Sequence, residues 1–151
     1  MREYGLEGTD FFVDRKKDRE NDLIIIRKTG IIKLQQKLGI HITLKEIQTV
    51  SYGNKMASVV VVRGGFIGDP VSYIDMDGEA NPDNCTTSFN YYVATARKRA
   101  ESRLTLMLAD LTKLDMHGEI EAEEFKASGR GAKALEATEK MAKEKYEKGK
   151  E

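Results

Sequence analysis

Arg99 and Arg103, in the run ATARKRAESRLTLML, stand four residues apart. On a helix turning ~100° per residue, that spacing puts two guanidinium groups together along one edge. Two always-charged forks side by side suit bidentate contact with phosphate. Arg97 and Lys98 point elsewhere around the helix, and Glu101 stands where it can pair with Arg97. Lys33, Lys37, Lys45, Lys55 and Arg63 lie upstream, in a stretch from Arg27 to Arg63 whose single acid is Glu46. Gathered on one surface, Arg99, Arg103 and these five would form a groove that follows a sugar-phosphate backbone without reading bases. The competing role for Arg99 and Arg103 is structural, bonding carboxylates of a neighbouring subunit.

Other residue sets point to chemistry less sharply. Tyr52, Tyr73, Tyr91 and Tyr92 are candidate stacking platforms for bases, although tyrosines in strands and helix stripes more often fill a core. Asp75, Asp77 and Glu79 alternate in DMDGEANPD, which superficially resembles a calcium loop. Such a loop needs glycine at its sixth position and glutamate at its twelfth, whereas here the glycine is fourth and Thr86 is twelfth. No metal site is therefore expected, and the acidic run is expected to pair with the basic face of a neighbouring subunit. His41 and His117 have no serine or cysteine placed to make a nucleophile, and no phosphate-cradling GxxxxGK[ST] loop occurs. The reading is a protein that is not an enzyme and needs no cofactor. Cys85, the only cysteine, excludes an internal disulfide and fits a reducing cytosol.

The elements that position these residues follow from pattern. At 151 residues the chain is expected to be one domain with extensions. No apolar run approaches the ~20 residues of a membrane span, and MREYGLEGTD lacks the apolar stretch of a secretory signal. The 25 basic and 25 acidic residues cancel, but Gly64 to Asn90 holds five acids and no base, whereas Tyr91 to Lys113 is again net basic. Local fields of opposite sign, rather than the neutral total, govern association.

Residues 1–22 read as a charged arm, in which Phe11, Phe12 and Val13 are expected to dock on the core or on a neighbouring subunit. TGIIKLQQKLG reads as a short amphipathic helix capped by Thr29 and stopped by Gly39. The alternating stretch from Ile40 to Tyr52 ends at the turn pair Gly53-Asn54. KMASVVVVR, with four β-branched valines, is the clearest strand, and Gly64-Gly65 is expected to bend or end it. Phe66-Ile67 and Val71 to Met76 supply further strand, and DGEANPDN reads as loop. Thr86 or Thr87 is expected to cap a long helix from Ser88 to Leu111, with a stripe through Tyr92, Ala96, Ala100, Leu104 and Leu111. The fold class is thus α+β: a short helix, an antiparallel meander of about three strands, and a long helix across the sheet. The core is placed at 23–115. Residues 116–151, rich in Glu and Lys, read as a helical or disordered tail.

In this order of elements, and in the helix FNYYVATARKRAESRLTLMLADL, residues 23 to 111 resemble the single-strand annealing proteins of phage recombination systems. That broad superfamily contains the ERF, Sak and Red-beta types and the eukaryotic Rad-fifty-two protein. The resemblance implies ring or filament homo-oligomers and single-stranded DNA held between sheet and long helix. It implies annealing in homologous recombination without nucleotide hydrolysis, in a host cytoplasm, with a recombination partner reached through the C-terminal tail. Lys98, Arg99 and Arg103 would match the family's basic helix positions, with Lys55 and Arg63 on the meander. The short strands and the DMDGEANPD loop depart from the family pattern. The alternatives are a protein-interaction or assembly module of a phage or mobile element and, third, a metal-dependent nuclease using Asp75, Asp77 and Glu79.

Overall fold

The computed structural model of the chain describes residues 2–14, 23–112 and 116–118. In chain order its elements are β1 (Phe11–Asp14), β2 (Leu23–Ile26), α1 (Lys28–Leu38), β3 (Ile40–Tyr52), β4 (Lys55–Phe66), β5 (Ile74–Ala80), α2 (Tyr92–Leu108) and β6 (Met116–Gly118). β3, β4 and β5 form an antiparallel meander in that order, and α2 lies across one face of it. This is the α+β arrangement expected from the pattern of the sequence. No helix among the described residues is long and apolar enough to cross a membrane.

The valine run sets the meander's two faces. Strand residues alternate sides, so Val60 and Val62 face α2 and are fully buried with Ala96, Ala100 and Leu104. Val59 and Val61 face outward. Gly53, at φ 61°, makes the tight turn that pairs Tyr52 with Lys55. Gly39, at φ 66°, ends α1 in the left-handed conformation that glycine adopts most cheaply, its N–H bonding the Gln35 carbonyl.

Several local expectations are corrected. Gly64 and Gly65 neither bend nor end β4, which runs on to Phe66. Their missing side chains make room: a Cβ at Gly64 would lie 2.7 Å from the His41 carbonyl, and one at Gly65 2.6 Å from the Tyr73 ring. Pro70–Ser72 is a short 3-10 turn, so the last strand starts at Ile74 and takes in DGEA, leaving the loop to begin at Asn81. The residue preceding α1 is Arg27, and Thr29 lies inside its first turn. A 3-10 turn, Phe89–Tyr91, precedes α2, so neither Thr86 nor Thr87 caps it, and the helix ends at Leu108 rather than Leu111.

The ends of the chain belong to the fold more than their composition implies. β1 pairs antiparallel with β2, and β2 pairs parallel with β6, making a second sheet. Leu6, Ile26, Ile31, Leu34, Leu106, Leu111 and Met116 close a second core on the flank of α2 that the meander leaves uncovered. Boundaries at 22 and 115 therefore cut through a sheet. Phe11, Phe12 and Val13 dock as β1 of the same chain. Residues 15–22 and the tail beyond Gly118 lie outside the described residues.

Asp10 anchors this corner. Its carboxylate accepts from the Glu7 N–H at 2.9 Å and from Lys33 Nζ at 2.7 Å, and its own carbonyl accepts the Arg27 N–H. The Glu7 N–H, then Lys33, hold its carboxyl below the ordinary value of 3.8. A depressed folded pKa contributes stability above the unfolded value that is lost as pH falls through the folded one. Asp10→Asn is therefore expected to lower the melting temperature at neutral pH. The gap to wild type should close as thermal melts are taken to about pH 2. A gap that stays constant with pH would show that the carboxylate charge is irrelevant.

Candidate nucleic-acid interface

The eight cations expected to form one basic face are dispersed. Arg99 is the largest correction. It is 0% exposed, so it cannot reach a phosphate. Its Nη1 donates to the Glu79 carbonyl at 2.7 Å and to Asn84 Oδ1 at 2.9 Å, and Nη2 donates to the Asn84 carbonyl at 2.6 Å. Arg103 Nη1 donates to the Asp77 carbonyl at 3.2 Å. Asp77 and Glu79 lie on β5, the edge of the meander opposite β3, and no further strand among the described residues meets their outward carbonyls. One helical turn of four residues rises ~6 Å, and two strand residues span ~6.6 Å. Arginines four apart thus match carbonyls two apart. The spacing that suggested a phosphate clamp covers a sheet edge.

Lys45 and Arg63 are on the outer face of the meander, and both bind Asp75: Arg63 Nη1 at 3.0 Å from Oδ1, Lys45 Nζ on Oδ2. Lys45 first, then Arg63, hold the Asp75 carboxyl below its ordinary range. The register puts Arg63 directly opposite Asp75. Asp77 and Glu79 continue along the same outer face, opposite Val61 and Val59, so that surface is mixed in sign. The expected pairing of the acidic run with a basic face occurs, but within the chain. Asp75, Asp77 and Glu79 stand ~7 Å from one to the next along the strand. Among the described residues no three acid, histidine or cysteine side chains group to hold a metal.

Lys33 is taken by Asp10 and Glu7. Lys55 is exposed at the hairpin tip, eight residues or ~27 Å along β4 from Arg63. Lys37 is exposed on α1. Of the tyrosines, Tyr92 is buried in the main core with Phe89 edge-on at 5.5 Å. Tyr52 donates to Asp83 at 2.5 Å, Tyr73 is half-buried, and Tyr91 is 62% exposed at the foot of α2.

Lys98 occupies a different setting. It points away from the meander, into a cleft between α1 and α2 that Lys28 closes from the other side. Ile26, Ile31 and Ile32 supply the apolar lining, with Gln35, Glu101 and Ser102 as the polar part. Both lysines are exposed, and neither makes an ion pair among the described residues. Glu101 is engaged by Arg97 Nε at 2.8 Å. The cleft has a volume of about 80 Å³. Lys28 opens α1 with no acid in that first turn and no side-chain cap. The Asp10 carboxylate, which meets Thr29 of that turn as well as Lys33, offsets the helix dipole there. Lys28 was visible in the sequence within the basic stretch but carried no motif. Its partnership with Lys98 arises only when the two helices pack.

No protein-family model matches the chain, and no curated protein matches it.

Proposed function

We propose that this protein binds single-stranded nucleic acid and anneals complementary strands without hydrolysing nucleotide. The contact is centred on the cleft between α1 and α2 rather than on the sheet. The observation that carries this reading is the Lys28–Lys98 pair, two exposed lysines lining one cleft between α1 and α2. Tyr91, just before α2, offers an exposed ring for stacking. Every cation in this set meets phosphate as a point charge, which favours backbone tracking over sequence readout. The resemblance to single-strand annealing proteins supports the same reading, with its basic helix position at Lys98 retained and those at Arg99 and Arg103 reassigned to the fold.

The test is annealing of two labelled complementary DNA strands in excess chelator. Lys28→Ala/Lys98→Ala is expected to slow annealing about tenfold or more at low salt, each lost phosphate contact contributing ~1 kcal/mol. Lys45→Ala, which acts on the outer sheet face, should leave the rate within twofold of wild type. Equal loss in both variants would place the interface on the sheet. A wild-type protein that is folded and accelerates nothing would refute the reading and favour an assembly module.

A further inference from the structure

The meander has two edges, and among the described residues only one is covered. β5 is capped by Arg99 and Arg103, whereas beyond β3 no strand lies among the described residues. β3 is 13 residues long, and its side chains are exposed almost throughout. The tight turn after Tyr52 makes Tyr52↔Lys55 a bonded pair. The ladder then alternates, so the backbone groups left free on β3 are those of Ile42, Leu44, Ile47, Thr49 and Ser51. Leu44 and Ile47 lie opposite Val62 and Val60 and so face the α2 side, yet they are 41% and 48% exposed because α2 covers β4 and β5 instead.

We propose that this edge pairs with the β3 edge of a second copy of the chain, antiparallel, about a two-fold axis between Lys45 and Glu46. Antiparallel partners must present side chains on the same face, and in an unbroken strand that rule forbids an axis falling between two residues. The bulge between Leu44 and Glu46 shifts the alternation by one, leaving Lys45 and Glu46 both on the outer face. With the axis there, Leu44 meets Ile47 of the second copy on the α2 side, and Lys45 meets Glu46 on the outer side. Each contact occurs twice, and Ile42 falls opposite Thr49. The same residues carry the free backbone groups, so Leu44 with Ile47 and Ile42 with Thr49 close as bonded pairs on either side of the bulge. Any other axis crossing the bulge puts inward residues against outward ones. The contact is isologous and closes at two subunits, producing one continuous six-stranded sheet. It does not rest on nucleic-acid binding.

Sedimentation equilibrium of the full chain without nucleic acid, over a range of concentration, tests this. Wild type is expected at twice the chain mass. Glu46→Lys sets lysine against lysine twice and should weaken the dimer about tenfold. Raising salt to ~1 M, where the Debye length is ~3 Å, should restore much of that loss. Thr49→Pro removes a free-edge N–H while leaving the β3–β4 ladder intact, and it should weaken the dimer irrespective of salt. Circular dichroism establishes that both variants remain folded. A wild-type monomer, or a dimer that neither substitution weakens, would overturn the proposal.

Discussion

Arg99→Ala is expected to destabilise the protein by about 3–5 kcal/mol, against a total of ~5–15 kcal/mol for a domain of this kind. Its guanidinium satisfies the Glu79 carbonyl in a part-buried bond, and the Asn84 carbonyl and Asn84 Oδ1 in fully buried ones. Asn84 in turn accepts the Asn81 N–H at 2.8 Å through the same Oδ1, and Asn81 Oδ1 accepts the Asp83 and Asn84 N–H groups. One arginine therefore anchors the whole β5–α2 connection as well as the sheet edge. Truncation would leave buried acceptors unmet and a void the size of the side chain. Arg99→Lys should recover part of the loss, because an ammonium on a flexible stem cannot reach both carbonyls as a planar fork does. Arg103→Ala, nearer solvent, should cost about 1 kcal/mol or less. Urea denaturation of the three variants measures all of this. Near-equal losses at 99 and 103 would contradict the difference in burial.

Gly78→Ala is the second large effect. A Cβ there would stand 2.1 Å from the Ala96 carbonyl oxygen and 2.7 Å from the Ala100 N. Both obstacles are backbone of α2, so no rotamer change relieves them and the helix must lift by at least ~1 Å. At this crossing α2 presents Ala96 and Ala100, whose small side chains let helix and strand approach this closely. Lifting α2 would open the packing of Leu104 against Val60 and Val62 and stretch the Arg99 and Arg103 contacts. The expected cost is about 3 kcal/mol, read as a lower urea midpoint with little change in slope. A Gly78→Ala protein as stable as wild type would mean that helix and strand are not in backbone contact.

What the sequence discloses of this fold depends on the reach of its signals. The valine run, the alternation from Ile40 and the stripe through Ala96, Ala100 and Leu104 are periodic over several turns or strand pairs, so the meander and the helix across it were legible. β1, β2 and β6 are three or four residues each, and β6 joins strands some ninety residues away. No periodicity survives in pieces that short. The single stripe on α2 likewise concealed a second buried flank, where Ser102 and Thr105 are small or hydrogen-bonded, as Gln35 is to Thr105 at 3.0 Å. For the candidate site, helical period correctly grouped Arg99 with Arg103 but could not say what they face. The clue was that a four-residue helical step matches a two-residue strand step. Lys28 and Lys98, seventy residues apart, share no pattern until α1 and α2 meet.

The central claim is that the α1–α2 cleft receives the phosphates of a single strand. Its most direct test is binding of a labelled single-stranded oligonucleotide by fluorescence anisotropy across a salt series, for wild type and for Lys28→Glu/Lys98→Glu shown to be folded. Each phosphate contact contributes ~0.7 to the log–log salt slope for a single strand. The variant is expected to bind about a hundredfold more weakly at low salt and to lose about 1.4 from that slope. A variant with wild-type affinity and slope would contradict the claim and remove the cleft from any account of nucleic-acid binding.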